Sequence, residues 1–286
     1  MCYKSRAFYY IKSREILMKR RKRKYNESIL ITIQDKINYL TIHESPDFKS
    51  NIIDKIRVHE YSKKILGKDI CVPLLKIYEN EDEININELP NKFVLKCNHG
   101  SGMNIFCNDK STFNIEISKK KLKEWKNINY GIFSSEFQYI NVKAKIFAET
   151  YLKRNIEDYK IYCFHGEPKF IRVQKKIKGI NGKLNNYYDL NWELTDIETG
   201  LASFYRRKDI IIPKPKNLDL MIFYAKKLSS EFAFVRVDFY NIKGKIFLGE
   251  LTFTPSNSVF KLKNNEQSIY IGKFIDIKKI KNYLFN

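Results

Sequence analysis

From residue 92 onward, apolar residues come in short runs with two-residue alternation, the mark of strands. The stretch KFVLKCNHGSGMNIFC, 92 to 107, predicts a buried strand, a loop of small and polar residues and a second short strand, with Lys96 where the first strand stops. KIFAETYL (145 to 152) predicts a further strand. YKIYCFHGEPKFIRV (159 to 173) and FVRVDFYNIKGKIFLGEL (234 to 251) predict hairpins turning at HGEP and NIKG. Helical spacing occurs at 51 to 66, with Ile52, Ile53, Ile56, Ile65 and Leu66 apolar and Gly67 placed as a cap. Two more helices are predicted: 114 to 127, around Ile115, Leu122 and Trp125, and 217 to 231, starting at an Asn217 N-cap. The acidic stretch ENEDEININELP, 79 to 90, reads as the connection before a new unit. There are no internal repeats. The pattern is α+β and mostly antiparallel.

Composition narrows this. The 286 residues are 43% apolar and 14% aromatic, enough for substantial cores and unlike a disordered chain. The formal net charge is +21, a balance that ordinarily points to polyanionic partners. Only 11 of the 53 basic residues are Arg, and Ile, Lys, Asn, Tyr and Phe crowd the chain, so part of that charge reflects codon bias at neutral surface positions. The five cysteines, at 2, 71, 97, 107 and 163, form no CxxC pair and have no His at metal-ligand spacing. Neither a zinc site nor a disulfide framework is expected from them. No apolar run reaches the roughly 18 residues of a membrane span, so a cytoplasmic location is expected. Residues 3 to 24 mix aromatics and aliphatics with a basic cluster from Lys19 to Lys24. Three readings stay open for them: a solvated leader, an amphipathic helix in peripheral contact with an anionic inner-membrane surface, or a nucleic-acid patch.

The chemistry lies in the loop and the last hairpin. In CNHGSGMN, Gly100 and Gly102 flank Ser101 and let backbone N–H groups approach phosphate oxygens, with Lys96 adding charge. Alone, such a turn between two strands is more often a plain hairpin. In VRVDFYNIKGKIFLGELT, Asn241 and Gly244 predict a three-residue loop with a bulge at the glycine. That register sets Asp238 opposite Leu248 and Arg236 opposite Glu250, all on one face. Two carboxylates at this spacing can hold Mg²⁺, and Arg236 can meet phosphate with its fork. The competing reading is an exposed face with an Arg–Glu cross-strand pair, which the apolar neighbours Phe234, Val235, Val237, Phe239 and Phe247 oppose.

FVLKCNHGSG, AETYL, DYKIYCFHGEPKFIRV and FVRVDFYNIKGKIFLGELTFTP, in this order, resemble the TupA-like branch of the ATP-grasp superfamily, from DKIRVHEY (54 to 61) through IGKFIDI (271 to 277). The resemblance implies ATP and Mg²⁺ as cofactors and two α+β subdomains clamping a nucleotide, preceded by a helical N-terminal region. It divides the chain into a basic segment 1–50, a helical region 51–90, a small subdomain 91–150 carrying the glycine loop, and a C-terminal subdomain 151–286 carrying the magnesium hairpin. Lys96 matches the strand-end lysine on the phosphates, and Gly100, Ser101 and Gly102 the mobile loop over them. Glu149, Tyr151 and Leu152 match the adenine hinge, and Asp158 falls near the ribose position. Arg236, Asp238 and Glu250 match the catalytic arginine and two magnesium ligands; Lys160 and Arg172 are further phosphate contacts. The family's asparagine two residues after the second carboxylate is Thr252 here, which puts a second metal in question; the substitute is either the Thr252 hydroxyl or Asn257.

The activity implied is amide formation: ATP phosphorylates a carboxylate and an amine attacks the acylphosphate. Phosphoryl transfer of this kind rests on positioning and charge neutralisation, and the chain offers no convincing nucleophile triad. His99, beside the loop, either assists or is structural. The association of such proteins with teichuronopeptide and cell-surface polysaccharide synthesis implies a uronate- or glutamate-containing glycan precursor as carboxylate. A nucleotide-sugar glycosyltransferase of the same pathway is the alternative, but the chain lacks a DxD-like site after a βαβ run. A nucleic-acid-binding module rests on charge alone, since the basic residues are not interleaved with aromatics on one element; no nucleic acid partner is expected.

Overall fold

The computed structural model describes residues 15, 19, 29–44, 46–134, 136–153, 156–177, 182–199, 204–205, 209–256 and 262–280. The basic leader, apart from residues 15 and 19, and Asn257 lie outside the described residues. In chain order the helices and strands are α1 (Ile33–His43), α2 (Pro46–Ile53), α3 (Val58–Leu66), β1 (Leu74–Tyr78), β2 (Phe93–Cys97), β3 (Asn104–Cys107), α4 (Ile115–Lys126), α5 (Tyr130–Ser134), β4 (Ile146–Thr150), β5 (Asp158–Phe164), β6 (Glu167–Lys175), β7 (Lys183–Tyr188), β8 (Phe204–Tyr205), α6 (Leu218–Ser229), β9 (Phe234–Ile242), β10 (Lys245–Thr252) and α7 (Asn265–Gly272). None of the described helices is long and apolar enough to cross a membrane.

The chain forms two compact units, Pro46–Arg154 and the combination of Met1–Ser45 with Asn155–Asn286. This redraws the four segments expected from sequence. The acidic stretch is not a boundary. It winds through two short 3-10 turns, Glu81–Glu83 and Ile86–Glu88, and connects β1 to the strand beside β4 within one four-stranded antiparallel sheet, ordered β1-β4-β2-β3. The helix expected over 51–66 is two, α2 and α3. Between them Asp54 Oδ1 accepts from the backbone N–H of Ile56 at 2.8 Å, a local bond that competes with helix continuation. Gly67 ends α3 in the left-handed region, φ 72°, as a C-cap glycine should. Helix α4 has its Asn114 cap, the Asn114 side chain accepting from Ile117 N–H, and buries Leu122 completely.

The second unit is built on a six-stranded sheet, ordered β10-β9-β5-β6-β7-β8, antiparallel except for β7 with β8. One face presents Ile161, Cys163, Ile171, Val173, Val235, Val237 and Phe239, each with no exposed surface. Helix α6 covers it with Met221, Ala225 and Leu228. Asn217 precedes α6 as expected, but in a left-handed conformation and without a side-chain cap bond. Its amide instead donates to the Gly244 carbonyl at 2.8 Å, tying the helix start to the β9–β10 turn. On the opposite face, α1 and α7 close one end over Tyr162, Phe164, Phe170, Tyr187 and Phe234 with Ile33, Ile37, Leu40 and Ile271. The rest of that face is polar.

Helix α1 has a capping box: Thr32 Oγ1 accepts from Asp35 N–H at 3.2 Å and Asp35 Oδ2 from Thr32 N–H at 3.0 Å. Its N-terminus meets α7 so closely that a Cβ on Gly272 would lie 2.9 Å from the Ile33 nitrogen and the Thr32 carbonyl carbon. Both are backbone and cannot swing away, so Gly272→Ala must part the two helices. The expected cost is about 1–3 kcal/mol, read as a lower urea midpoint with an unchanged slope.

Candidate functional site

In the unit Pro46–Arg154, β2 pairs with both β3 and β4, with Lys96 in register with Asn104 on one side and Phe147 on the other. Glu149 opposes Val94, and alternation puts its carboxylate on the Lys96 face. The two side chains form an ion pair, 17% and 12% exposed. Tyr151 follows the end of β4 and sets its ring edge-on to Phe106, centroids 6.4 Å apart; Leu152 beside it is half-buried.

The glycine loop is held from several directions. Asn98 donates to the Lys143 carbonyl at 3.0 Å and accepts from Lys145 N–H at 2.7 Å, fixing the end of β2 to the chain entering β4. Gly102 has φ 76°, which supplies the left-handed turn. Gly100 is glycine for a different reason: a Cβ there would sit 2.8 Å from the Tyr130 ring and 2.9 Å from Met103 Sδ. Ser101 between them is exposed. Lys55, which the sequence reading passed over, donates its ammonium to the Gly100 carbonyl, and its own N–H reaches the Asn98 carbonyl at 3.5 Å. The DK pair at 54–55 was visible in the sequence, but its partner is 45 residues away.

His99 is 3% exposed, with Nε2 at 3.2 Å from the Trp125 carbonyl, so it braces α4 against the loop and faces no open space. Burial holds its pKa below 6.5 despite the Trp125 carbonyl, and burial does the same for His165, whose Nε2 accepts from Asp276 N–H at 2.9 Å. Both rings fold neutral while the unfolded chain protonates them, so stability is complete above about pH 6.5 and falls as pH drops toward the folded values. Denaturant midpoints at pH 7.5 and 5.5 should show the loss, and His99→Gln should flatten it. Cys97 and Cys163 are buried thiols pushed up to about 12 by desolvation, which excludes them as nucleophiles at neutral pH.

In the other unit, five strands set polar residues side by side. Asp238 is in register with Glu250 on β10 and with Lys160 on β5; Lys160 is in register with Arg172 on β6, and Arg172 with Tyr187 on β7. Asp238, 3% exposed, accepts from Arg236 Nε and Nη2 at 2.6 Å each and from Lys160 Nζ at 2.7 Å. Lys160 also reaches Asp158 at 2.5 Å. Arg236 Nη2 donates to Thr252 Oγ1 at 3.0 Å and lies 3.5 Å from Glu250 Oε1; Thr252 in turn donates to Glu250 at 3.3 Å. Burial raises the Asp238 carboxyl, but Arg236 and Lys160 outweigh it and hold the group below the ordinary carboxylate range. Arg172 lies 5.9 Å from the Tyr162 ring centroid, and burial leaves it 5% exposed.

The register differs from the sequence expectation in an informative way. The turn is a two-residue one, Lys243 and Gly244 at φ 53° and 89°, the type I′ pattern, rather than three residues with a bulge at the glycine. Leu248 then opposes Phe239, and a bulge at Gly249 brings Glu250 opposite Asp238 and Thr252 opposite Arg236. Without the bulge Glu250 would oppose Val237 and point to the α6 side. A Cβ on Gly249 would crowd Tyr240 Cε2 at 3.1 Å and the Asp238 carbonyl at 3.3 Å, which accounts for glycine there.

The oxygen-only set of Asp238, Glu250 and Thr252 suits a hard divalent cation such as Mg²⁺. Thr252 supplies an oxygen where an asparagine was expected, but it bridges Arg236 and Glu250. The structure thus joins Lys96 with Glu149 in one unit and Asp158, Lys160, Arg172, Arg236, Asp238 and Glu250 in the other.

Solved structures similar to the chain include a D-alanine–D-alanine ligase from Bacillus anthracis complexed with ATP, at 15% identity and TM-score 0.48, covering 85% of this chain and 69% of that one. D-alanyl-alanine synthetase A from Vibrio cholerae gives 12% and 0.48, with 84% and 70% covered. An L-amino acid ligase from Bacillus licheniformis gives 11% and 0.45, with 73% and 46% covered. No curated protein sequence matches. The family model described as TupA-like ATPgrasp matches residues 33–276, from the first turn of α1 to just past α7, taking in most of both units and every candidate site residue named above: the chain belongs to the TupA-like ATP-grasp family.

Proposed function

We propose that the protein is an ATP- and Mg²⁺-dependent carboxylate–amine ligase. The observation that carries this reading is the Asp238–Glu250 pair, set in direct register by the Gly249 bulge beside a buried arginine. Asp238 and Glu250, with Thr252 nearby, would hold the cation; Lys96, Lys160 and Arg172 would meet phosphate oxygens, and Glu149, Tyr151 and Leu152 would take the base. Bound ATP would supply the phosphoryl group that turns a carboxylate into a good acyl donor, and Mg²⁺ would neutralise charge on it. Arg236 contributes a guanidinium whose direction is fixed by two bonds to Asp238, so its remaining donors need no reorganisation when charge develops.

For the substrate we take an acidic glycan precursor carrying a uronate or glutamate carboxylate, with an amino acid or amino sugar as amine, in cell-surface polysaccharide or teichuronopeptide synthesis. The family description and the +21 net charge support this choice. The basic leader, 3–24, is read as a peripheral contact with the anionic inner-membrane surface. The test is calorimetric titration of the purified protein with ATP and with UDP-sugars, with and without Mg²⁺. ATP binding that requires Mg²⁺ is expected; UDP-sugar binding without ATP binding would overturn the proposal.

A further inference from the structure

Helix α3 and the segment that leads into β1 bring together three side chains of a different chemistry, distinct from the carboxylate hairpin. His59 lies on α3; Asp69 and Cys71 follow the left-handed Gly67 turn. His59 Nδ1 is 2.8 Å from Asp69 Oδ2, and Asp69 Oδ1 accepts from Cys71 N–H at 2.9 Å, which folds the two residues of the D-x-C step around one point. One ligand atom from each of His59, Asp69 and Cys71 lies within 4.8 Å of the others. Tetrahedral zinc with ligands at about 2.0–2.3 Å wants them about 3.3–3.7 Å apart, so the widest separation closes by about 1.5 Å at most and the His59–Asp69 pair opens by about half an ångström. The setting is graded: Cys71 is buried at 7% exposure, the His59 side chain is 12% exposed and that of Asp69 27%, leaving the carboxylate side open for a water ligand.

We infer that His59, Asp69 and Cys71 form a transition-metal site of the zinc class, separate from the Mg²⁺ position. The donor set decides the class. A thiolate and an imidazole favour zinc or cobalt and disfavour magnesium, which wants oxygen throughout. Binding is balanced by proton release: the Cys71 S–H gives its proton to solvent and the thiolate bonds the metal, while the neutral imidazole moves its proton from Nδ1 to Nε2 and coordinates through Nδ1. Burial pushes the Cys71 thiol up, so the metal-free site keeps that proton and affinity rises with pH, one proton leaving per ion. The consequence is mechanical. Pro73, two residues past Cys71, accepts from Thr150 N–H at 2.9 Å, and Leu74 is in register with Glu149. An ion joining α3 to Cys71 therefore stiffens the strand beside the one that carries Glu149.

The sequence reading saw no His at ligand spacing from any cysteine because a helix end and a left-handed turn separate His59 from its partners. The experiment is titration of the purified full chain with Co²⁺ in excess Mg²⁺. A thiolate-to-cobalt absorption band saturating at one equivalent is expected, lost in Cys71→Ser and retained in Cys107→Ser. His59→Gln should weaken binding about 10–100-fold or more, and Zn²⁺ should raise the melting temperature of the wild type but not of His59→Gln. Should Cys71→Ser fold poorly, His59→Gln alone decides. A band that survives in Cys71→Ser, equal affinity in His59→Gln, or no band at all would overturn the site and leave His59–Asp69 as a hydrogen bond only.

Discussion

Asp238→Asn should abolish Mg²⁺-dependent ATP turnover, by about 10³-fold or more, and should also cost stability. The first effect follows from loss of one of two carboxylates set to hold the cation, together with loss of the anchor that aims Arg236. The second follows from burial. Asp238 neutralises Arg236 and Lys160 at 6% exposure each, and an amide can accept from only part of that set, leaving cationic donors poorly matched away from water. Breaking a buried pair in this way costs about 3–5 kcal/mol. The two losses separate by experiment. Calorimetry at a temperature where circular dichroism shows the variant folded reads the ligand effect, and urea midpoints read the stability effect. A pH series gives a third handle, because the wild-type carboxyl is held below its ordinary value. Its contribution is present above about pH 3.9 and lost as pH falls through the folded pKa, and that acid limb should vanish in Asp238→Asn. Turnover retained in a folded variant would remove Asp238 from the metal site.

Lys96→Ala should lower ATP turnover about 10²- to 10³-fold, the usual range for deleting one charged donor at a developing negative charge. The lysine's position explains why the effect should be specific. It is the last but one residue of β2, just before the Asn98-fastened loop begins, and Glu149 holds its ammonium on the sheet face. The alanine variant leaves that mostly buried carboxylate without its cation, at about 1.5–3 kcal/mol. Lys96→Arg should recover part of the turnover by keeping the charge, whereas Lys92→Ala, an exposed residue just ahead of the same strand, should change nothing. Equal loss in Lys92→Ala would mean that bulk charge rather than position matters. Wild-type rates in Lys96→Ala would exclude the lysine from the phosphate site.

Much of this arrangement was legible in the residues, for local reasons. The HG and KG pairs demand positive φ and mark two hairpins, and period-two alternation then puts Arg236 and Asp238 on one face, where Glu250 joins them only in a register of the right parity. What alternation cannot supply is a bulge. Gly249 looks like any weak strand position until Tyr240 and the Asp238 carbonyl are known to crowd it. Helix α1 was missed although Thr32 with Asp35 and the spacing of Ile33, Ile37 and Leu40 both signal it; its place over the six-stranded sheet depends on α7, more than 220 residues later. The four-segment division sets β1 with the helical region because it is an edge strand, its Leu75 and Ile77 are 39% and 42% exposed, and its pattern is weak. Lys55 and the His59, Asp69 and Cys71 group share one cause: contacts made by turns and by distant carbonyls leave no spacing to read.

The Gly249 bulge also limits how this hairpin can vary in length. Its tip and its carboxylates keep different parities, reconciled at a single residue. Adding one residue to each strand beyond the bulge would extend the tip as a rung is added to a ladder, leaving Glu250 opposite Asp238. With the bulge kept at Gly249, removing one residue from β10 alone, between the turn and that glycine, would set Glu250 opposite Phe239 and turn the carboxylate toward α6 while the composition hardly changed. Loop grafts and length variants of the β9–β10 tip should therefore be made in matched pairs.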